Sequence, residues 1–288
     1  MLYLCATPIG NLADVTLRVL EVLARAEVVA CEDTRHTRGL LARHGLQPGR
    51  LLSFHEHNEA AREEEILQLL REGREVALVS DAGMPGLSDP GHTLVRACVR
   101  EGLPVTVLPG PSAVSTALVV SGLPTDRFLF VGFLPRGKKA LVGALEEADG
   151  ARATLVLFES PRRVRATLAA VAERWPQRRV ALCRELTKVH EEVLRGTAGE
   201  VTALLAEPMR GEIVLVLEAE KSAGLGTVAG RPVGPAEIRA ALARLLDQGV
   251  GTKTAASVVS ELTGMPGRRA YELALAVKEK GPDGSLLE

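Results

Sequence analysis

The sequence predicts an α/β protein built as two α/β domains with a small helical module at the C-terminal end. Three observations predict it. Residues 1–122 alternate short apolar runs with amphipathic stretches, the order that gives a mostly parallel sheet with helices on both faces. From residue 128 the apolar runs come closer together with fewer and shorter helical stretches between them, as in a mixed sheet. Beyond a Gly-rich, aperiodic stretch at 221–234, which reads as a linker, only helical periodicity remains.

The elements follow in order. Leu2 to Ala6 is a short apolar strand. Leu17, Leu20 and Leu23 recur at helical spacing, with Asp14 placed to cap them. Val28 to Cys31, Leu51 to Phe54, Val76 to Val79 and Val105 to Leu108 are further buried strands, and NEAAREEEILQLLREG (58–73) is the clearest amphipathic helix. The turn SGLPTD (121–126) closes the first domain, 1–122. In the second, 123–220, strands are expected at 128–133, 154–158, 180–186, 192–195 and 213–218. Three helices, near 235–247, 253–262 and 268–278, make up the module 235–288, a helix-turn-helix-like arrangement with turns QGVG and TGMPG.

The chain has 288 residues, 46% hydrophobic and 25% charged, enough to bury a sizeable core. It has no apolar run of the roughly 20 residues a membrane span requires. The start, MLYLCATPIG, lacks a basic region and enters a strand at once, so no signal peptide is expected. Cys5, Cys31, Cys98 and Cys183 lie far apart inside apolar patterns, the placement of buried free thiols in a reducing cytoplasm. Net charge is −1, yet residues 134–184 carry 11 Lys/Arg against 5 Asp/Glu, clustered around Arg136, Arg162/Arg163 and Arg178/Arg179. That stripe is either a dock for an anionic polymer or a solvated helix face. From residue 231 onward 8 Lys/Arg face 7 Asp/Glu, and charge there does not distinguish RNA contact from ordinary surface. Aromatics are 3% of the chain and Phe54, Phe133 and Tyr271 have core-like surroundings, so a base-stacking platform is not expected.

Three loops follow strands and precede helices: ATPIGNL (6–12), SDAGMPGLSDPG (80–91) and LPGPSA (108–113). Loops at the carboxyl ends of an open sheet build its ligand crevice, and Gly and Pro there let backbone approach a ligand. None fits the glycine pattern of a dinucleotide or triphosphate site. Asp81 and Asp89 lack the ladder of a calcium loop, and His55 and His57, projecting to one side, have no third convergent ligand. No metal is expected. Twelve residues with three glycines and two prolines exceed the needs of a turn, and 80–91 reads as the cradle of an organic cofactor.

TPIGNL, CEDTRHTRGLL, SFHEHNE, SDAGMPGLSDPG, LPGPSA, ESPRR and CRELTKVHEE, in this order over essentially the whole chain, resemble the ribosomal RNA branch of the tetrapyrrole methylase superfamily. The resemblance implies a homodimer with S-adenosylmethionine held in the cleft between two α/β domains. It also implies 2′-O-methylation of a cytidine ribose of 16S rRNA, in the small ribosomal subunit near the decoding centre. Position by position, it implies cofactor contacts at Pro8 and Gly10; at Asp81, Ala82, Gly83, Met84 and Asp89; and at Pro109, Ser112 and Ala113. Phe158, Glu212 and Ile213 are implied at the adenosine end. The start of the helix after Ser112 suits the carboxylate of the methionine moiety. The chain departs from the family pattern at Met84, where a Thr is usual, and at Gly86, where a larger residue is usual.

A ribose hydroxyl becomes a nucleophile as its proton is removed, which requires a base or a cation near the methyl donor. CEDTRHTR offers Glu32 and Asp33, and SFHEHNE offers His55, each at a strand end. Glu32 and Asp33 serve either there or as caps of the following helix. Arg184, Glu185 and Lys188 alternate on an expected strand, as a cross-strand ion pair or, from the resemblance, with Lys188 stabilising an alkoxide. No single base is assigned. Arg35, Arg38, Arg162, Arg163 and Arg184, with Lys253, Arg268 and Arg269 of the helical module, are the expected RNA contacts. Three alternatives stand beside this reading: a corrin or porphyrin C-methyltransferase, a non-catalytic RNA-binding protein on the same fold, and a helix-turn-helix DNA regulator.

Overall fold

A computed structural model describes residues 1–47, 49–219, 227–228, 231–232, 234–263 and 265–280. Most of the expected linker 221–234 and the last residues, 281–288, lie outside the described residues. The chain divides into two compact units, Met1–Val142 with Thr154–Glu218, and Gly143–Ala153 with Ala219–Glu288.

In the first unit β1 (Leu2–Cys5), β2 (Val28–Cys31), β3 (Arg50–Ser53), β4 (Val76–Val79) and β5 (Val105–Leu108) form a wholly parallel sheet in the order β3-β2-β4-β1-β5. β1, β2 and β4 are buried along their whole length, because side chains of alternating residues feed two cores. Leu2, Leu4, Val76 and Leu78 pack on one face with α3 (Glu59–Arg71) and α4 (His92–Glu101). Tyr3, Cys5, Ala77 and Val79 pack on the other with α1 (Leu17–Arg25) and α2 (Thr34–Arg43). Each full burial of a Leu, Val or Phe contributes about 1.5–3 kcal/mol. From β1 the chain crosses towards β2, and from β4 towards β5, on the opposite side. The neighbouring strands β1 and β4 therefore flank the switch point where open sheets of this kind bind ligands.

The second sheet is mixed. β6 (Phe128–Phe133) runs parallel to β7 (Thr154–Glu159), while β8 (Arg179–Arg184), β9 (Glu192–Thr197) and β10 (Ile213–Leu217) add antiparallel pairs in the order β6-β7-β10-β8-β9. α5 (Ala113–Ser121) packs Val114, Ala117 and Leu118 against Val156, Ala181 and Val214 of this sheet. α6 (Lys138–Asp149), α7 (Val164–Arg174) and α8 (Ala198–Leu204) complete the strand connections, α8 opening on a capping box of Thr197 and Glu200. The second unit contains a two-residue strand pair, β11 (Thr227–Val228) with β12 (Arg231–Pro232), and α9 (Pro235–Asp247), α10 (Thr252–Thr263) and α11 (Gly267–Lys280). The helices share a core of Ile238, Leu242, Val259, Ala270 and Val277.

Several expectations are corrected. Asp14 ends a short 3₁₀ turn, and the cap of α1 is Thr16, whose hydroxyl accepts from the Val19 N–H at 3.3 Å. The strand expected over 180–186 stops at Arg184, since Glu185 and Thr187 take positive φ (52° and 68°). Arg184, Glu185 and Lys188 therefore do not alternate on one strand. Arg184 does pair across the ladder with its register partner Glu192, at 2.9 Å. Phe133 and Tyr271 are exposed by 60% and 42%, and only Phe54 of that trio is core. All four cysteines are buried free thiols.

Candidate functional site

Within the first unit the carboxyl ends of β1 and β4 are tied by reciprocal backbone hydrogen bonds between Thr7 and Gly83, at 2.8 and 3.0 Å. The Thr7 hydroxyl also donates to the Ser80 carbonyl at 3.0 Å. The loop after β4 then turns tightly, with Gly83, Gly86 and Gly91 all at positive φ. Gly91 is required twice: its φ is +129°, and a Cβ would meet Leu78 at 2.7 Å. Glu59 of α3 anchors the loop's far end, accepting from the Gly91 N–H at 3.0 Å and the Thr93 hydroxyl at 2.6 Å.

This loop forms one wall of a cleft of about 380 Å³, within the usual range for small-molecule sites. Ala82, Gly83, Met84 and Asp89 line it, joined by Ser112 at the N-cap and Ala113 at the start of α5, by Phe158 and Ile213 of the second sheet and by Glu212 just before β10. Ser112 sits at the N-cap of α5 without a side-chain cap bond, which leaves the N–H groups of the first turn open to an anion. Phe158 stacks edge-on to Phe130 at 4.9 Å and lies 5.5 Å from Phe133, making an apolar wall. An open helix start, a backbone-lined loop and an apolar slot fit a compact zwitterion carrying a planar ring system, and S-adenosylmethionine has that form.

The other expected cofactor residues lie outside the lining. Pro8 and Asp81 border a separate narrow crevice with Thr37 and Ser80. Pro109 is exposed just past β5. Gly10 carries the Lys188 stem, since a Cβ there would be 2.5 Å from Lys188 Cγ. The sequence reading missed Leu87, Ser88, Phe133, Ser160, Cys183, Leu186 and Gly211, which also line the cleft. ESPRR, quoted as a motif, contained one signal: Glu159 is buried in the wall, accepting from the Thr167 hydroxyl at 2.6 Å and the Ser160 N–H at 2.8 Å, with Arg163 at 3.5 Å.

Several carboxyls gather where β2, β3 and β4 end. The ladder pairs Cys31 with Ser53, and the Phe54 N–H donates to the Cys31 carbonyl at 2.8 Å, so Glu32 and His55 leave neighbouring strands together. Asp81 ties β4 to β2 by accepting from the Asp33 N–H at 3.0 Å. Burial, then the charge of Asp81, raises the Glu32 pKa, while His55 acts to lower it. Asp89, on the cleft wall, is pushed up to about 6 by burial and by Glu32, with a hydrogen bond from Ser80 opposing. Asp33 differs. Its side chain caps α2 through the Arg35 N–H at 2.8 Å and grips the Arg35 guanidinium at 2.7 Å, which holds its pKa far below the ordinary range.

Lys188 is half-buried between Glu185 at 2.9 Å and Glu212 at 3.0 Å. Burial works against its charge, but these two carboxylates outweigh it and raise its pKa. Among the expected RNA contacts, Arg38, Arg162, Lys253 and Arg269 are exposed, as are Arg35 with its Asp33 pairing and Arg268 with Glu272 at 3.1 Å. Arg163 instead spends its guanidinium on the carbonyls of Leu134 and Pro135, at 2.8 and 2.9 Å, and Arg184 is held by Glu192. The rings of His55 and His57 lie 6.0 Å apart, and among the described residues no group of three His, Cys, Asp or Glu is placed to hold a metal. No helix there is long and apolar enough to cross a membrane.

Residues 1–202 match the family model of tetrapyrrole (corrin/porphyrin) methylases, and residues 232–278 match that of the RsmI C-terminal HTH domain. The chain is 46% identical to a protein from Micromonospora olivasterospora named ribosomal RNA small subunit methyltransferase I, over 99% of this chain and 90% of the relative. A protein of the same name from Escherichia coli O157:H7 is 42% identical over 95% and 94% of the two chains. Among solved structures, a uroporphyrin-III C-methyltransferase from Thermus thermophilus complexed with S-adenosyl homocysteine aligns with a TM-score of 0.52 at 23% identity. The alignment covers 75% of this chain and 96% of that one, and shows the shared fold. Fold, cleft and near full-length relatives agree: the chain belongs to the tetrapyrrole methylase family.

Proposed function

We propose that this chain is an S-adenosylmethionine-dependent methyltransferase of the small-subunit ribosomal RNA, acting on the ribose 2′-oxygen of a cytidine of 16S rRNA near the decoding centre. The observation that carries it is the cleft, where an open helix start and an apolar slot meet Asp89, a carboxyl whose pKa is raised. The name shared by near full-length relatives supports the acceptor, as does the match of residues 232–278.

When bound, S-adenosylmethionine supplies an activated methyl group on a sulfonium. The chain's residues bind, orient and handle the proton. The N–H groups at the start of α5 hold the cofactor carboxylate, while Phe158 and Ile213 receive the adenosine. Pro8, Gly10, Asp81 and Pro109 support those loops from behind. At the hydroxyl end, Glu32 handles the ribose proton with Asp89 and His55 beside it; Asp33 fixes the α2 start there, and Lys188 holds Glu212 at the rim. Arg35, Arg38, Arg162, Lys253, Arg268 and Arg269 engage phosphates, with Arg163 and Arg184 fixing the surface behind them. The enzyme works as a cytoplasmic homodimer, with 1–122 and 123–220 as its two catalytic domains. Residues 221–234 link these to the RNA-engaging module 235–288.

The test is a transfer assay with labelled S-adenosylmethionine, offered small ribosomal subunits and, separately, a tetrapyrrole precursor. Label on a 2′-oxygen of 16S rRNA, mapped by nuclease digestion and mass spectrometry, is the expected result. Label on a base or on the tetrapyrrole overturns the reading.

A further inference from the structure

His55 invites assignment as the base that takes the hydroxyl proton, but its hydrogen bonds oppose that. The Asn58 amide is oriented by two backbone groups whose roles are fixed. Its Oδ1 accepts from the His55 N–H at 2.8 Å, so that atom is an oxygen; its Nδ2 donates to the Ser53 carbonyl at 3.1 Å, so that atom is a nitrogen. The second N–H of the same amide points at His55 Nε2, 3.2 Å away. Nε2 must therefore accept, and a neutral imidazole with Nε2 accepting carries its proton on Nδ1. Asn58 is at the N-cap of α3 yet makes no side-chain bond to the helix; the amide is committed to the His55 segment. Nδ1, meanwhile, is buried and has no hydrogen-bond partner. Of the two ring nitrogens, one has its lone pair engaged and the other bears a proton out of reach of solvent. Glu32 stands at the end of the neighbouring strand β2, within electrostatic reach of the ring. Glu56 and His57 flank the ring on its own segment.

We infer that His55 is a positioning residue, locked by Asn58 as the Nδ1–H tautomer, whose unpaired Nδ1–H is left for the Glu32 carboxylate at the end of β2 to take up when substrate binds, and that the ribose proton goes to that carboxylate. The hydroxyl O–H bond breaks as the oxygen–methyl bond forms, the proton passes to the Glu32 carboxylate, and the sulfur–methyl bond breaks to leave a neutral thioether. This assignment rests on the methyltransferase reading, but its first test does not.

That first test is the tautomer, read by ¹⁵N NMR on the full-length protein with labelled histidine, the His55 signals identified by their loss in His55→Asn. The expected spectrum shows an unprotonated Nε2 and a protonated Nδ1. A protonated Nε2 on the neutral ring overturns the inference whether or not the protein methylates RNA. The second test is substitution. An Asn side chain places an N–H near the position of Nδ1, whereas Gln places one near Nε2. His55→Asn is expected to keep transfer within about fivefold of wild type while His55→Ala loses about 100-fold, the lower range of acid–base contributions. Equal loss in the Asn and Ala variants, both melting like wild type, overturns it. Wild-type protein that shows the expected tautomer but labels neither RNA nor tetrapyrrole counts against the methyltransferase reading and leaves the tautomer assignment standing.

Discussion

The outer face of α3 and the ends of β2 and β4 are both rich in carboxylates, and the two regions treat them in opposite ways. On α3, Glu65 receives Arg50 and Arg62, each at 2.6 Å, and Arg71 bridges Glu64 at 2.7 Å and Glu101 at 2.8 Å. The arginines hold the pKa values of Glu65 and Glu101 below the ordinary carboxylate value. At the strand ends Glu32 and Asp89 have each other, Asp81 and partial burial for company, and their pKa values rise. A carboxylate given a cation is kept ionised and serves the fold. One denied a cation next to a ligand cleft is poised to hold a proton, as proton transfer at neutral pH requires. The cost is borne in stability, and it can be measured.

Glu159 gives the largest expected effect, because it tests what a partnered carboxylate is worth when buried. Glu159→Ala strips Thr167, the Ser160 N–H and Arg163 of their common acceptor. It should lower unfolding free energy by about 3 kcal/mol, measured by urea titration. A loss below about 1 kcal/mol would mean that burial with partners counts no more than a surface pair.

Asp89→Asn should move stability the other way. A raised carboxyl pKa means that the folded state binds the proton more tightly than the unfolded chain, so folding is penalised wherever Asp89 is ionised. The penalty is absent below the ordinary value of 3.8 and complete above about 6. Allowing for solvent screening of a half-buried group, the variant should gain about 1 kcal/mol at pH 8, with the gain shrinking as pH falls towards 4. A loss of stability at pH 8 would show Asp89 to be as well partnered as Glu65.

Glu65→Gln should have the smallest effect. The lowered pKa places its contribution above the ordinary glutamate value, to be lost as pH falls through the folded one. The substitution should cost about 0.5 kcal/mol at pH 7 and less in high salt. Cofactor affinity, read by calorimetry, should not change.

The sequence displays much of this and conceals a definable remainder. β2, β4, β5 and β6 are legible to the residue, because each is a short β-branched or apolar run bounded by polar or turn residues. The loop 80–91 is legible because left-handed backbone calls for glycine at 83, 86 and 91. The 185–191 segment is hidden by the same rule: Glu185 and Thr187 take positive φ without glycine, in a stretch whose alternation mimics a strand. The second-sheet wall is hidden for another reason. Cys183, Leu186 and Val214 face the cleft with the same residue types that fill the core beside it, and periodicity does not separate a cavity from packed interior. The role of Asn58 is hidden as well, because nothing in the order of residues shows its amide turned towards His55.

The most direct measurement is the single-turnover rate of methyl transfer to small ribosomal subunits by Glu32→Gln and Glu65→Gln, side by side at saturating S-adenosylmethionine. Glu65→Gln should keep the wild-type rate. Glu32→Gln should fall at least about 100-fold with its melting temperature and cofactor affinity retained. Equal rates in the two variants would contradict it, because the carboxylates at the strand ends would then serve the reaction no more than those on the outer face of α3.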